Sequence, residues 1–114
     1  MKEIKALIRV CKVDEVIRAL RASGAPGITV SRVHGVGYGY EPYLFTLAPS
    51  EIKKTPEVAK LEVVCEDHCA DTAVDVIVNA ARTGDPGDGI VFVTEVERAV
   101  KIRTGAEGPM AIHS

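Results

Sequence analysis

Residues 83–93, Thr-Gly-Asp-Pro-Gly-Asp-Gly-Ile-Val-Phe-Val, concentrate three glycines, one proline and two aspartates between a helix-like run and a strand-like run. Glycine lacks a Cβ, so this main chain can take φ > 0 and approach a ligand closely. A loop of this kind leaves backbone N–H groups free to converge on an anion such as a phosphate. Read alone, Gly87-Asp88-Gly89 is more often a plain turn. A second group with chemical potential is Cys65-Glu66-Asp67-His68-Cys69, to which Cys11 adds a third thiol. Thiolates and imidazoles are soft ligands that suit zinc or copper(I). Cys11 closes the first strand and Cys65 the third. With these strands taken as parallel neighbours, Cys11, Cys65, His68 and Cys69 gather at one sheet edge as a metal or redox site. The plainer reading is that cysteine here is a small buried hydrophobe, since the spacing matches no standard zinc motif.

The elements that must position these residues follow from periodicity. Residues 2–11 alternate, with Ile4, Ala6, Ile8 and Val10 on one side and Lys5, Leu7 and Arg9 on the other, which predicts a strand. Asp14 and Glu15 open a helix with the stripe Val13, Val16, Ile17 and Leu20, stopped by Ser23-Gly24. Residues 28–36 form a second strand. The order then repeats: a strand over 58–66, a helix with Asp67 as N-cap and the stripe Ala70, Ala73, Val74, Ile77 and Ala81, the glycine-rich loop, and a strand over 90–96. The economical fold is α+β, a ferredoxin-like split βαβ (βαββαβ) with a four-stranded antiparallel sheet and both helices on one face. Its other face would carry Leu7, Val33, Val64, Val91 and Val93 among Lys5, Arg9, Thr29 and Glu62. A patch of that kind predicts packing between copies of the chain.

The 114 residues suit one domain. A net charge of −2 with well-mixed signs argues against nucleic acid as a partner. Three cysteines favour reduced thiols over a disulfide framework. No apolar run is long enough for a membrane span or signal-peptide core, so a cytoplasmic location is expected. No nucleophile–base pair or paired carboxylates stand out, so catalysis is not expected.

Several blocks resemble the PII signal-transduction proteins: Lys2-Glu3-Ile4-Lys5-Ala6, Lys12-Val13-Asp14-Glu15-Val16, Gly27-Ile28-Thr29-Val30, Gly35-Val36-Gly37, Lys60-Leu61-Glu62-Val63-Val64, Thr83-Gly84 with Gly87-Asp88-Gly89, and Lys101-Ile102-Arg103-Thr104-Gly105. They occur in the family's order over nearly the whole chain. The resemblance implies one domain over residues 1–114, with a T-loop at about 37–57, a B-loop at 82–89 and a C-terminal loop at 101–114. It implies a homotrimer with ATP, ADP or AMP between subunits as effector, and is compatible with an accompanying magnesium ion. Thr29, Glu62 and Val64 would lie near the adenine, and Gly35 and Gly37 at the cleft border. Gly87, Asp88 and Gly89 would meet phosphates through backbone amides, and Lys101 and Arg103 would come from the neighbouring subunit. The T-loop would dock on a membrane transporter or enzyme, placing the protein in the cytoplasm or peripherally at the membrane.

The departures from the family pattern are specific. Ile90 stands where a Lys or Arg usually follows Gly-Asp-Gly, and Lys101 replaces an arginine, keeping charge but losing the bidentate fork. Gly39 replaces a glutamine that helps hold magnesium and 2-oxoglutarate. Val58 replaces a lysine that contacts 2-oxoglutarate, and Glu51 stands at the tyrosine that is uridylylated. These changes argue against 2-oxoglutarate sensing and uridylylation. In their place, Tyr38, Tyr40, Tyr43 and Phe45 crowd one loop, as anchors for a partner or as a locally packed hairpin. The alternative function is a metal-binding or metal-export regulator of the same trimeric fold.

Overall fold

The computed structural model describes residues 1–35, 37 and 57–113. The aromatic loop residues Tyr38, Tyr40, Tyr43 and Phe45, together with Gly39 and Glu51, lie outside the described residues. The elements run β1 (Lys2–Arg9), α1 (Val13–Ala22), β2 (Thr29–His34), β3 (Glu57–Cys65), α2 (Asp67–Ala81), β4 (Gly89–Glu95) and a single turn α3 (Pro109–Ile112). They build one four-stranded sheet in the order β2-β3-β1-β4, with every neighbouring pair antiparallel. This is the split βαβ topology expected from the repeat of strand, helix and strand.

Alternation in β1 decides where the core lies. Ile4, Ala6 and Ile8 are buried on the helix side and pair with Val63, Leu61 and Ala59 of β3. Against them α1 buries Val16 and Leu20, while α2 buries Ala70, Ala73, Ile77 and Ala81. Ala70, Ala73, Ile77 and Ala81 recur at spacings of three and four, which puts them on one face of α2. Helix α1 ends in a Schellman motif: Gly24 takes φ +89, its N–H bonds to Arg21 O, and Ala25 N–H bonds back to Leu20 O at 3.1 Å. These bonds satisfy carbonyls that the helix end would leave open. Ile77 has no exposed surface, so Ile77→Ala should destabilise the fold by about 2–5 kcal/mol, read as a lower urea midpoint with an unchanged slope.

Three expectations change. First, β4 presents its residues in the opposite sense. Val91 pairs with Ala6 and Val93 with Ile4, so both belong to the helix face. Ile90 and Phe92, opposite Leu7 and Lys5, take the open face instead. Second, β1 ends at Arg9 and gives way to a 3-10 turn over Val10–Lys12, so Cys11 is off the sheet and exposed. Third, the N-cap of α2 is Glu66, in extended conformation, and Asp67 is the first helical residue. The Asp67 carboxylate meets the N-terminal ammonium at 2.8 Å, and the hydrogen bond from that ammonium lowers its pKa.

Candidate functional site

The glycine-rich loop between α2 and β4 is organised around the side chain of Asp88. The amides of Thr83 and Gly84 both donate to Asp88 Oδ2 at 2.8 Å. The Thr83 hydroxyl donates to Oδ1, and Arg9 Nε donates to the same oxygen at 3.1 Å. Arg9 Nη2 reaches further, to Pro86 O at 2.7 Å. The Thr83 hydroxyl bond, then the Thr83 and Gly84 amides, hold the Asp88 carboxyl well below the usual carboxylate range, with Arg9 adding to them. The Asp88 side chain is therefore taken up within the loop and ties its two ends together. Among the described residues, the amides of Gly87 and Asp88 donate to nothing. Two unpaired N–H groups beside the Arg9–Asp88 ion pair leave backbone donors available to an anion.

The glycines are dictated by this geometry. Gly87 has φ +97, and a Cβ there would stand 3.3 Å from Arg9 Nη2. Gly89 has φ +105, and a Cβ there would fall 1.7 Å from Leu7 O. Gly89 is thus needed for β4 to enter the sheet beside β1, independently of any ligand.

The sequence pattern marks Arg9 only as an open-face residue. Its position at the end of the first strand, next to the loop that opens the neighbouring fourth strand, is the signal that would have singled it out. It supplies a cation to a loop in which position 90 carries isoleucine.

The other candidates separate into groups. Thr29 pairs with Glu62, and Val64 follows two residues along the same face. Lys60 Nζ lies 3.7 Å from Glu62 Oε1. Gly35 and Gly37, just beyond β2, are buried, and Gly37 takes φ +84. Strand β1 stands between the β2–β3 group and the mouth of β4, where Gly89 pairs with Ile8. Lys5 and Glu3, the partners of Glu62 and Val64, are three and five residues from Ile8 along β1, about 10 and 17 Å at strand rise. One copy of the chain therefore carries two separated groups.

Lys101 and Arg103 lie on a tight hairpin closed by Lys101 N–H to Ala106 O and Gly105 N–H to Lys101 O, both 2.8 Å. Lys101 Nζ donates to His113 O at 2.9 Å. The hairpin points Ile102 entirely into solvent.

The soft-ligand cluster does not form as expected. Strands β1 and β3 are antiparallel, so Cys65 lies opposite Lys2 while the Cys11 turn adjoins the far end, where Arg9 pairs with Val58. Seven residues of strand, about 23 Å, lie between those ends. Cys65, His68 and Cys69 do share one pocket. Among the described residues, however, no group of three or more His, Cys, Asp or Glu is placed to hold a metal ion. The Cys65 thiol is pushed up, first by burial and then by the charge of Cys69.

The family model "Nitrogen regulatory protein P-II" matches residues 1–106. The chain is a member of the P-II family. It is 45% identical to the nitrogen regulatory protein P-II of Azospirillum brasilense, over 98% of this chain and 100% of that one. It is 42% identical to nitrogen regulatory protein P-II 1 of Escherichia coli strain K12, with the same coverage. It is 41% identical to nitrogen regulatory protein P-II 2 of Methanothermobacter thermautotrophicus, over 98% and 97% of the two chains. Membership of this P-II family makes the protein a regulator in signal transduction, not an enzyme. Among the described residues, no helix of this P-II protein is long and apolar enough to cross a membrane.

Proposed function

We propose that this P-II protein binds an adenine nucleotide, ATP, ADP or AMP, at a seam between copies of itself and uses it to control a transporter or enzyme through the T-loop. The observation that carries this reading is the loop at Asp88. Its carboxylate is consumed internally, its neighbouring amides are free, and Arg9 brings a positive charge beside them. Phosphate oxygens fit that arrangement. The distance between the Gly87–Gly89 group and the Thr29, Glu62 and Val64 group supports a cleft completed by a second subunit. Lys101 and Arg103, on a projecting hairpin, would reach such a cleft from the neighbour. The open sheet face, with Leu7, Ile90 and Phe92, supports association into the trimer expected of the family. Tyr38, Tyr40, Tyr43 and Phe45 would anchor the regulated partner, with the protein cytoplasmic and recruited to a membrane only through that partner.

Calorimetric titration with ATP, ADP and AMP, joined to sedimentation equilibrium, tests this reading. The expected result is a trimer that binds at least one of the three saturably. The double substitution Lys101→Ala and Arg103→Ala should weaken binding of the phosphate-rich ligand about tenfold or more, since each charge-assisted hydrogen bond carries that order of effect. A monomer, or a trimer that takes up none of the three, would overturn it.

A further inference from the structure

The thiol-bearing region at the end of β3 lies apart from the glycine-rich loop, since Cys65 pairs with Lys2 while Gly89 pairs with Ile8. A pocket of about 270 Å³ opens between the end of β3, the first turn of α2 and the loop after α1, with His113 at its edge. Both Cys65 and Cys69 line it, along with Glu66 and His68. Helix α2 starts at once after the strand: Glu66 is its extended N-cap and accepts the Cys69 N–H at 3.0 Å, so Cys69 follows Cys65 by one helical turn, near enough for its charge to act on the Cys65 thiol. The two thiols have opposite settings. Cys65 is buried at 3% exposure within the core cluster, while Cys69 is exposed. Cys69 stands in the first turn of α2, open to a reagent in solution. Cys65, sheltered in the core cluster, is reached only after Cys69.

We propose that Cys65 and Cys69 are a redox dithiol, closed to an intramolecular disulfide by a small hydroperoxide entering this pocket. The Cys69 thiolate attacks one peroxide oxygen. The S–O bond forms as the O–O bond breaks, and the departing hydroxide takes a proton to leave as water. Cys65 then gives up its proton and its sulfur attacks the Cys69 sulfenic sulfur. The S–S bond forms as the S–O bond breaks, and hydroxide leaves with the Cys65 proton as a second water. Two thiols lose two electrons and the peroxide gains them. An exposed thiol beside a sheltered resolving thiol is the arrangement redox-sensing cysteines use.

The chain supplies its own control, because Cys11 sits at the far end of β1. The test uses the full-length Cys11→Ser variant, which leaves both pocket thiols in place. It is treated with hydrogen peroxide at near-stoichiometric ratio, alkylated with a maleimide and weighed intact. The expected product has lost two hydrogens, takes up no maleimide, runs as a single chain on a non-reducing gel and regains both adducts after dithiothreitol. In wild type, Cys11 should remain alkylatable throughout. With Cys65→Ser added, Cys69 should be trapped by dimedone as a sulfenic acid. Two adducts after peroxide, a disulfide only between chains, or over-oxidation of Cys69 without any disulfide would each overturn the proposal.

Discussion

Gly89→Ala should cost this protein about 3–5 kcal/mol of stability, a large fraction of what a domain of this size has. The reason is backbone against backbone. A Cβ at residue 89 would lie 1.7 Å from Leu7 O and 2.8 Å from Leu7 C, and neither atom belongs to a side chain that can turn away. Relief requires β4 to retreat from β1 at the Ile8–Gly89 pair, and Ile8 is part of the buried core. The φ of +105 adds strain for any L side chain. Gly84→Ala is the matched control. It has a similar φ of +94, but nothing within 4 Å of the added Cβ, so it should cost only about 1–2 kcal/mol. Urea unfolding of the two variants separates the effects. Equal midpoints would show that the close approach to Leu7 is not what demands glycine at 89.

How far such features can be read from the sequence depends on how unambiguous the local pattern is. The β1 alternation and the alanine stripe of α2 are legible because polar and apolar residues mark the faces at periods of 2 and 3.6. Strand β4 is not legible in that way. Ile90, Val91, Phe92 and Val93 are all strand formers with no polar marker, so nothing local says which pair faces the helices. The register Ala6 with Val91 decides it. The thiol cluster failed for a topological reason: splitting a βαβ unit inserts β3 antiparallel to β1, which sends Cys11 and Cys65 to opposite ends. Asp88 is legible as part of a glycine-rich loop, but the inward turn of its side chain depends on Thr83, Gly84 and Arg9 acting together. Arg9 is seventy-nine positions away in the chain and becomes a neighbour only through β1–β4 pairing.

Asp88→Asn should weaken nucleotide binding about tenfold or more and lower stability modestly, because the bonds that depress the folded Asp88 pKa also stabilise the folded loop. The asparagine matches aspartate in shape but places an NH₂ where one carboxylate oxygen stood. Oδ2 receives the Thr83 and Gly84 amides, and Oδ1 receives the Thr83 hydroxyl and Arg9 Nε. With the amide oxygen turned to the two backbone donors, the NH₂ opposes Arg9 Nε, and two donors cannot share a bond. Arg9 is released from Asp88, and the free amides of Gly87 and Asp88 lose their fixed direction. Protonation does part of the same work in wild type, and the sign is determinate. The folded pKa of Asp88 is depressed, so its contribution is complete above the ordinary carboxylate value of about 3.9 and is lost only as pH falls through the lower folded value. Asp88 should therefore add no pH dependence to loop geometry between about pH 8 and pH 5. Paired calorimetry and urea unfolding of the variant decide the matter: unchanged ATP affinity would mean that the carboxylate does not shape the anion site, and a large loss of stability would mean that it holds more of the fold than this loop.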